Sequence, residues 1–477
     1  MPIKTIFQYL PEVEPPAEKK LSFNIKAKWT IIILVAFFVL ANIPLYGLSG
    51  NALARFETLA VILGTDFGSV ISLGIGPIVM ASIILQLLVG SQILKIDTKT
   101  AEGKKFFQGL QKILVYFFII FEASVYVLMQ GLAPDISLGV YGPVILIVQL
   151  CLGGLAIYMM DEISSKWGFG SGVSLFIAAG VSWRVFTSLF QFIGTQGTFE
   201  PTGRILVLVS SIISGNQAGA FSAVAAIIVT IIIFLIIVWA QSLKVEIPLS
   251  YDRIRGYGIK WPLAFFYTSV MPVILVSALA ANIQLGAGIL DNAAQPCILN
   301  GVDSIDCTGM AKFSYKLGFL GRFSGNTPIS GFAFWISGVN LLEAITIGGF
   351  NSKMPFQVLI HILFYVALSV IFAIFWMKTS GMDAQSQAKN IMSSGLTIPG
   401  FRKDERILET VLNRYILPLT IMGGAAIGLV AAISNVVGTL VGGTAILLVI
   451  MIMYQFYQNI AQQHAVDMHP ALRKIIK

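Results

Sequence analysis

Residues that could support catalysis or metal binding are few in this 477-residue chain. It has three histidines, His361, His464 and His469, and it lacks HExxH and CxxC motifs and paired intramembrane carboxylates. It also lacks a phosphate-binding loop and a G-x-S-x-G nucleophile motif. His361 stands alone in an apolar stretch, which is more typical of a packed core histidine than of a ligand. The sequence therefore predicts no catalytic residue, metal or cofactor, and it argues against an enzyme.

Besides His361, two ionisable side chains lie well inside membrane-length apolar stretches, Glu122 and Arg184. Arg184 stands near the outer end of its stretch, where a long side chain reaches the interface. Glu122 is deeper, and an intramembrane acid is a candidate functional residue. The alternative is that Glu122 is protonated or hydrogen-bonded and only clamps two helices. A single acid makes a poor proton relay, so an ion-coupled pump is not favoured.

The chain contains three cysteines. Cys151 lies in an apolar stretch and is interpreted as a packing residue. Cys297 and Cys307 share one outer loop, where a disulfide between them would contribute roughly 2–3 kcal/mol by closing a short loop. The alternative is that both are free thiols.

Membrane-spanning helices must position these side chains, because 56% of the residues are hydrophobic and only 11% are charged. The length suits about ten spans of roughly 20 residues each. The predicted spans are Thr30–Tyr46, Ser69–Gly90, Leu110–Met129, Val140–Met160, Val173–Phe192, Phe221–Ala240, Pro262–Ala281, Phe356–Met377, Tyr415–Ala432 and Val437–Tyr457. Glycine pairs inside spans, such as Gly153-Gly154 and Gly423-Gly424, predict close helix packing.

Lysine and arginine are concentrated in alternate loops. With a cytoplasmic amino terminus, 24 of the 31 lie on the inner side. The positive-inside rule therefore predicts a multi-pass membrane protein with both termini in the cytoplasm, and we expect it in the plasma membrane. An eleventh span at Ile329–Phe350 would reverse this bias for all later loops. We therefore predict that this stretch is an outer re-entrant or surface-lying segment.

Five spans in each half imply that a duplicated unit is inverted in the membrane. Gly76–Ser82 and Met271–Ser277 form a weak repeat, since each contains a proline, mostly apolar residues and a serine. The alternative is that each proline merely shapes a helix end. The predicted organisation is a cytoplasmic segment 1–29, an N-terminal half 30–193, an outer hinge loop 194–220, a C-terminal half 221–457 with a large outer loop 284–354, and a cytoplasmic tail 458–477.

Several motifs resemble those of the SecY family, the channel subunits of the Sec protein translocon, in its archaeal and eukaryotic branch. Residues 72–88 read SLGIGPIVMASIILQLL, which is similar to the second helix of that family. The other motifs, in chain order, are PEVEPP, DEISSKWGFGSGVSLFIAAGV, VEIPLSYDRIRG, ANIQLG, FRKDE and VGGTAILL. The resemblance covers nearly the whole chain and implies an all-α membrane protein of ten helices in two inverted, pseudo-symmetric halves. The outer loop 284–354 is longer than the family leads us to expect.

The resemblance implies a protein-conducting channel with an aliphatic constriction that dewets when it is empty. It places this pore ring on Ile75, Val79, Val173, Ile177, Ile274 and Leu448. It also implies a short outer plug helix composed of Phe56, Glu57, Thr58, Leu59, Ala60, Val61, Ile62, Leu63, Gly64 and Thr65. A lateral gate into lipid would have Glu122 and Asn282 as polar members, with Met80 where the family often has a small polar residue.

The resemblance further implies that two basic inner loops dock on the ribosome through Arg253, Arg255, Arg402 and Lys403, which would meet RNA phosphates. Ordinary positive-inside bias is the alternative explanation for these loops. The implied partners are the small membrane subunits SecE (gamma) and Sec beta, the ribosome, signal sequences, nascent polypeptides and membrane lipid. The alternative function is a ten-span secondary transporter with inverted repeats, which would need a solute or ion site near the midplane.

Overall fold

The computed structural model describes residues 11–17, 21–51, 67–90, 93–96, 100–128, 131–192, 202–251, 258–268, 270–300, 310–324, 327–347, 349–393, 396–397 and 404–468. In chain order the helices and strands of these ranges are α1 Phe23–Ala41, β1 Leu48–Asn51, α2 Gly76–Gly90, α3 Ala101–Leu128, β2 Leu132–Pro134, α4 Gly142–Trp167, α5 Gly172–Phe190, α6 Arg204–Ser214, α7 Gln217–Ser242, β3 Lys244–Tyr251, β4 Gly258–Ala264, α8 Met271–Asn300, α9 Met310–Lys316, β5 Arg322–Ser324, β6 Thr327–Ser330, α10 Phe332–Ile336, α11 Leu341–Ile347, α12 Met354–Thr379, α13 Ala384–Ser393, β7 Leu396–Thr397, α14 Glu405–Val437 and α15 Gly443–Met468. A 3-10 helix, Ile136–Tyr141, precedes α4.

Ten apolar helices in the described ranges correspond to the ten predicted spans. They are α1, α2, α3, α4, α5, α7, α8, α12, α14 and α15. Nine of them contain a stretch long and apolar enough to cross a membrane. Helix α2 has only 15 residues and falls short of that length. The all-α membrane architecture predicted from the apolar runs is confirmed.

The second predicted span, Ser69–Gly90, is helical only from Gly76 onward. The preceding residues 67–75 form successive turns, with the Gly74 N–H donating to Ile71 O at 2.8 Å. Gly74 has a φ of +53°, a left-handed conformation that interrupts a helix and that glycine adopts at little cost. Hydropathy alone did not reveal this break, because the turn residues are as apolar as the helix.

The turn segment 67–75 is buried, with Ile71 and Leu73 both 0% exposed. Its backbone groups bond to the end of α1: the Val70 N–H donates to Ile43 O and Gly68 O accepts from the Leu45 N–H, each at 2.9 Å. A Cβ at Gly153 of α4 would lie 1.9 Å from Val70 O, so only glycine allows this approach. The prediction that Gly153-Gly154 permits close packing is confirmed.

Helix α8 continues as one helix to Asn300, so the first part of the predicted outer loop 284–354 is helical. Polar residues such as Asp291 end the apolar run, but the alanine, leucine, isoleucine and glutamine around them favour a helix outside lipid as well. Asp291 is buried, and its Oδ2 accepts the Phe323 N–H at 3.2 Å, which attaches the β5–β6 hairpin to this helix.

The stretch Ile329–Phe350 does not form an eleventh span, as predicted. It contains two short helices, α10 of 5 residues and α11 of 7. Helix α10 is held by α12, where Gln357 Nε2 donates to Phe334 O at 2.7 Å and His361 Nδ1 lies 2.7 Å from Ile336 O. His361 is 2% exposed. The interpretation of His361 as a packed core residue is confirmed.

The predicted outer hinge loop 194–220 contains an unpredicted helix, α6, which has 11 residues. Gly215 ends α6 with a φ of 72°, and the Asn216 side chain accepts the Gly219 N–H to begin α7. Helix α6 is too short to span a membrane, so hydropathy at the length of a span did not reveal it.

The chain divides into two compact units. One comprises Met1–Trp183 and Ile452–Lys477, and the other comprises Arg184–Met451. In the first, Phe37 of α1 stacks on Phe176 of α5 with ring centroids 4.9 Å apart. In the second, strands β4, β3 and β7 form an antiparallel sheet in that order.

Candidate functional site

The first two predicted ring residues stand where the buried turn segment becomes α2. Ile75 is the last residue of the turn segment and is 2% exposed. Val79 lies in the first turn of α2, is half-buried, and donates its N–H to Ile75 O at 3.0 Å. The turns of residues 67–75 therefore fix the position of both side chains.

Val173 and Ile177 lie in the first two turns of α5. Ile177 is buried and Val173 is half-buried. Asp161 of the preceding helix α4 holds this end, because its Oδ1 accepts the Val173 N–H at 2.9 Å. Acceptance by a carboxylate satisfies one of the free N–H groups at a helix start. A Cβ at Gly172 would lie 2.6 Å from Asp161 Cα, so glycine is required for α5 to begin this close to α4.

Ile274 and Leu448 belong to the second unit and also stand near helix starts. Ile274 lies in the first turn of α8 and is 8% exposed. Leu448, in the second turn of α15, is 0% exposed. Helix α8 begins one residue before Pro272, as α2 begins one residue before Pro77. A proline at this position has no intrahelical bond to lose, so both prolines shape helix ends.

The start of α15 is built like the start of α5. A Cβ at Gly443 would lie 1.9 Å from Ser434 Cβ of α14, and Asn435 Oδ1 of α14 accepts the Thr444 N–H at 3.4 Å. In both places a helix begins at a glycine against the preceding helix, whose acceptor side chain caps it. Asp161 and Asn435 could not be recognised as caps in the sequence, because neither is at the local spacing of an N-cap.

The six residues predicted for the ring thus share one local geometry. Each is aliphatic, buried or half-buried, and lies in the first two turns of a helix or just before it. Such side chains offer no hydrogen-bonding group or charge. The arrangement suits an adaptable apolar contact rather than a specific binding site.

The two polar residues predicted for the gate differ in their surroundings. Glu122 lies in α3 and is half-buried, as is Met80 in α2. Asn282 lies in α8 and is exposed, and its Nδ2 donates to Ala278 O of its own helix at 2.8 Å. The Asn282 amide therefore already has an acceptor within α8.

The two loops predicted to dock on the ribosome are attached to one small sheet, β4-β3-β7, in the second unit. The loop between β3 and β4 carries Arg253 and Arg255, and the loop after β7 carries Arg402 and Lys403, but these four residues lie outside the described ranges. Strand β7 runs antiparallel to β3 and pairs with its last residues, Tyr251 opposite Leu396, so both loops are joined to one sheet. The sheet rests on an apolar core that includes Ile247, Leu263, Ala388, Leu408, Leu412 and Ile416.

Two further predictions reach beyond the described residues. The plug, Phe56–Thr65, lies outside them entirely. Cys297 is buried and disulfide-bonded, whereas Cys307 lies outside them, and Cys151 is a free thiol. No cluster of three or more metal-ligating side chains occurs among the residues that the structure describes.

Comparison with known proteins gives one consistent family. The SecY family model matches residues 69–457. The protein translocase subunit SecY of Methanothermobacter thermautotrophicus is 41% identical, over 99% of this chain and 97% of that protein. The resemblance predicted from the sequence motifs is confirmed.

Solved structures agree with this assignment. A SecY protein whose plug domain is described as stabilising the closed state of the translocation channel and maintaining a membrane seal aligns with a TM-score of 0.76 and 36% identity, covering 98% of both chains. Sec61 in a canine ribosome–channel complex from the endoplasmic reticulum aligns with a TM-score of 0.74 and 35% identity, again covering 98% of both chains. The predicted fold class is confirmed by these alignments.

The bond between Asp161 and the start of α5 gives a testable prediction. Replacing Asp161 with alanine removes the acceptor for the Val173 N–H and should destabilise the protein by about 1–2 kcal/mol, the usual effect of losing a helix cap. Asp161→Asn keeps an acceptor oxygen and serves as the matched control. Thermal unfolding of both variants in detergent measures the effect. Equal unfolding temperatures for Asp161→Ala and the parent would contradict a role for this cap.

Proposed function

This chain belongs to the SecY family and is a protein-conducting channel subunit of a protein translocase, and we propose that its six aliphatic residues at helix starts form the constriction. It is a multi-pass membrane protein. The observation that carries the proposal is that all six positions implied by the family are aliphatic and stand at anchored helix starts. The family assignment argues against the alternative of a secondary transporter.

The constriction needs to pass unfolded chains of any sequence without leaking ions. A charged or hydrogen-bonding site would retain some substrates, whereas an aliphatic ring dewets when empty and adapts to many side chains. We assign the ring to Ile75, Val79, Val173, Ile177, Ile274 and Leu448, and the plug to residues 56–65 on its outer side. The described sealing role of the plug domain in a structural relative supports the second assignment.

The release of transmembrane segments sideways into lipid is assigned to a lateral gate. Its polar members are proposed to be Glu122 and Asn282. Because Met80 stands where the family often has a polar residue, apolar contacts would contribute more of the closure energy here. The Asn282 amide is bonded within α8, so its contribution to closure should be small.

Ribosome docking is assigned to Arg253, Arg255, Arg402 and Lys403. The attachment of both loops to one sheet supports a single docking surface, and a structural relative is found in a ribosome–channel complex. SecE (gamma) and Sec beta are the proposed membrane partners, with signal sequences and nascent polypeptides as clients. We place the protein in the plasma membrane. The positive-inside bias supports a cytoplasmic position for both termini.

Two expectations from the sequence stay predictions. One is that the chain has no catalytic activity of its own, since its lysine, histidine and carboxylate positions form no recognisable catalytic motif. The other is a disulfide between Cys297 and Cys307, which the bonded state of Cys297 supports.

The ring assignment predicts an ion leak when the ring becomes polar. Serine at both Ile75 and Ile274 should let water wet the constriction and raise the resting conductance of planar bilayers containing the channel. The control is serine at Ile31 and Ile232, which are 61% and 49% exposed and lie one in each unit. An unchanged resting conductance in the Ile75/Ile274 variant would contradict the ring.

The docking assignment predicts salt-sensitive ribosome binding. Charge reversal at Arg255 and Arg402 should weaken binding and flatten the dependence of log affinity on log salt by about one to two units, because fewer counterions are released. The control reverses Lys312 and Lys316, which are predicted to lie on the outer side. Equal slopes for the parent and the Arg255/Arg402 variant would leave only the positive-inside explanation.

The gate assignment predicts unequal effects of its polar residues. Hydrogen bonds within membranes are worth about 0.6 kcal/mol on average and up to roughly 2 kcal/mol. Glu122→Leu and Met80→Asn should shift the hydrophobicity threshold for inserting a graded Leu/Ala segment, while Asn282→Leu should shift it little. A large shift for Asn282→Leu with none for the other two variants would overturn this account of the gate.

A further inference from the structure

The motif PEVEPP before the first helix has no role in the function described so far. Residues 11–17 form a segment without helix or strand that lies against Lys112 of α3 and the last turns of α4. We call residues 11–17 the strap. Its three prolines, Pro11, Pro15 and Pro16, fix their own φ angles and donate no N–H. The strap therefore loses less conformational entropy on docking than a flexible segment would.

Four charged side chains join the strap to α3 and α4 in a closed ring of ion pairs. Glu12 contacts Lys112 at 3.3 Å and Lys166 at 2.9 Å. Glu162 contacts the same two lysines at 3.2 and 3.0 Å. The side chains of Glu162, Lys112 and Lys166 are 10%, 16% and 22% exposed, whereas that of Glu12 is 58% exposed. Glu12 is thus the outermost member and the only one supplied by the strap.

Main-chain bonds fix the strap in the same place. The Val13 N–H donates to Glu162 Oε2 at 3.3 Å, and the Val13 carbonyl accepts from Lys166 Nζ. The Glu14 carbonyl accepts the Trp167 Nε1–H at 3.0 Å. Glu162 therefore bonds to the strap backbone and to lysines of both helices. The strap, α3 and α4 meet at this one carboxylate.

We propose that the strap is a positioning element for sideways release: it holds α3 against α4 and thereby sets how apolar a segment must be to leave the channel into lipid. The inference rests on the proposed function, because it takes α3, the helix that carries Glu122, as part of the lateral gate. The strap acts through α3 and does not itself touch the transported chain.

Charge balance is the physical reason for this role. With Glu12 in place, two carboxylates and two ammonium groups neutralise one another. Without it, Lys112 and Lys166 share a single acid and leave an uncompensated positive charge in a poorly hydrated cluster, which is costly. The hydrogen bond from Lys166 lowers the pKa of Glu12, as expected for a carboxylate that is stabilised by this pairing.

The test compares Glu12→Lys with Glu14→Lys in the full-length channel in membranes. Glu14 is exposed and belongs to none of the four ion pairs, so its variant changes the net charge of the strap equally. Strap docking is measured directly with spin labels at Ala17→Cys and Gln108→Cys in a Cys151→Ala background. Release is measured as the inserted-to-translocated ratio of a Leu/Ala segment near its threshold, with Glu122→Leu as the benchmark for the gate.

We expect Glu12→Lys to broaden the spin-label distances and raise the insertion ratio about two- to fivefold, as for loss of a weak ion pair. Glu14→Lys should change neither. Adding Lys166→Glu to Glu12→Lys restores the charge balance of the four ion-paired side chains and should reverse both effects.

Narrow spin-label distances in Glu12→Lys would overturn the proposed role of the four ion pairs in docking the strap. Broad distances with an unchanged ratio, while Glu122→Leu shifts it, would overturn the coupling but leave the proposed gate intact. If neither Glu12→Lys nor Glu122→Leu shifts the insertion ratio, the gate assignment fails and this inference fails with it.

Discussion

The constraint on which this structure depends is that lipid offers no hydrogen bonds to a polypeptide backbone. Helices satisfy it internally, and other backbone is tolerated at membrane depth only where protein covers it. Residues 67–75 meet this condition through turns of their own and bonds to the end of α1. Because Gly153 admits Val70 O to the surface of α4, the segment is held tightly enough to place Ile75. The non-helical segment 67–75 is thus held in one conformation by the protein around it.

A second consequence concerns helix starts, whose free N–H groups must also be satisfied. The starts of α5 and α15 use the same solution: a glycine against the preceding helix and an acceptor from that helix, Asp161 in one case and Asn435 in the other. These helices follow the fourth and ninth spans, so they occupy equivalent places in the two halves of five. The two halves are therefore more alike in the way α5 and α15 begin than in the amino-acid sequences of their helices. Aliphatic side chains carried on such starts are held firmly while offering no polar group of their own.

Charged side chains are rare in the spans, and those near the ends of helices form organised groups. The sheet of β4, β3 and β7 rests on its own apolar core and carries both basic loops. At the last turns of α4, four charged groups neutralise one another and attach the strap to two helices. Both are small polar structures joined to long apolar helices. The sheet and the ion-paired cluster each attach a segment outside the lipid to a membrane-spanning helix.

The sequence by itself determined the ten spans, their predicted orientation, the rejection of a span at 329–350 and the family, because hydropathy, charge bias and contiguous motifs are local properties of the chain. It misjudged the start of α2 and did not reveal that α8 continues to Asn300 or that α6 forms, since helix formation depends on backbone geometry and propensity as well as on hydropathy. The roles of Asp161, Asn435 and Glu162 were decided only by the tertiary structure. Each side chain bonds to residues on another helix or segment, as far apart as Val13 and Glu162, and no spacing rule reaches across such distances.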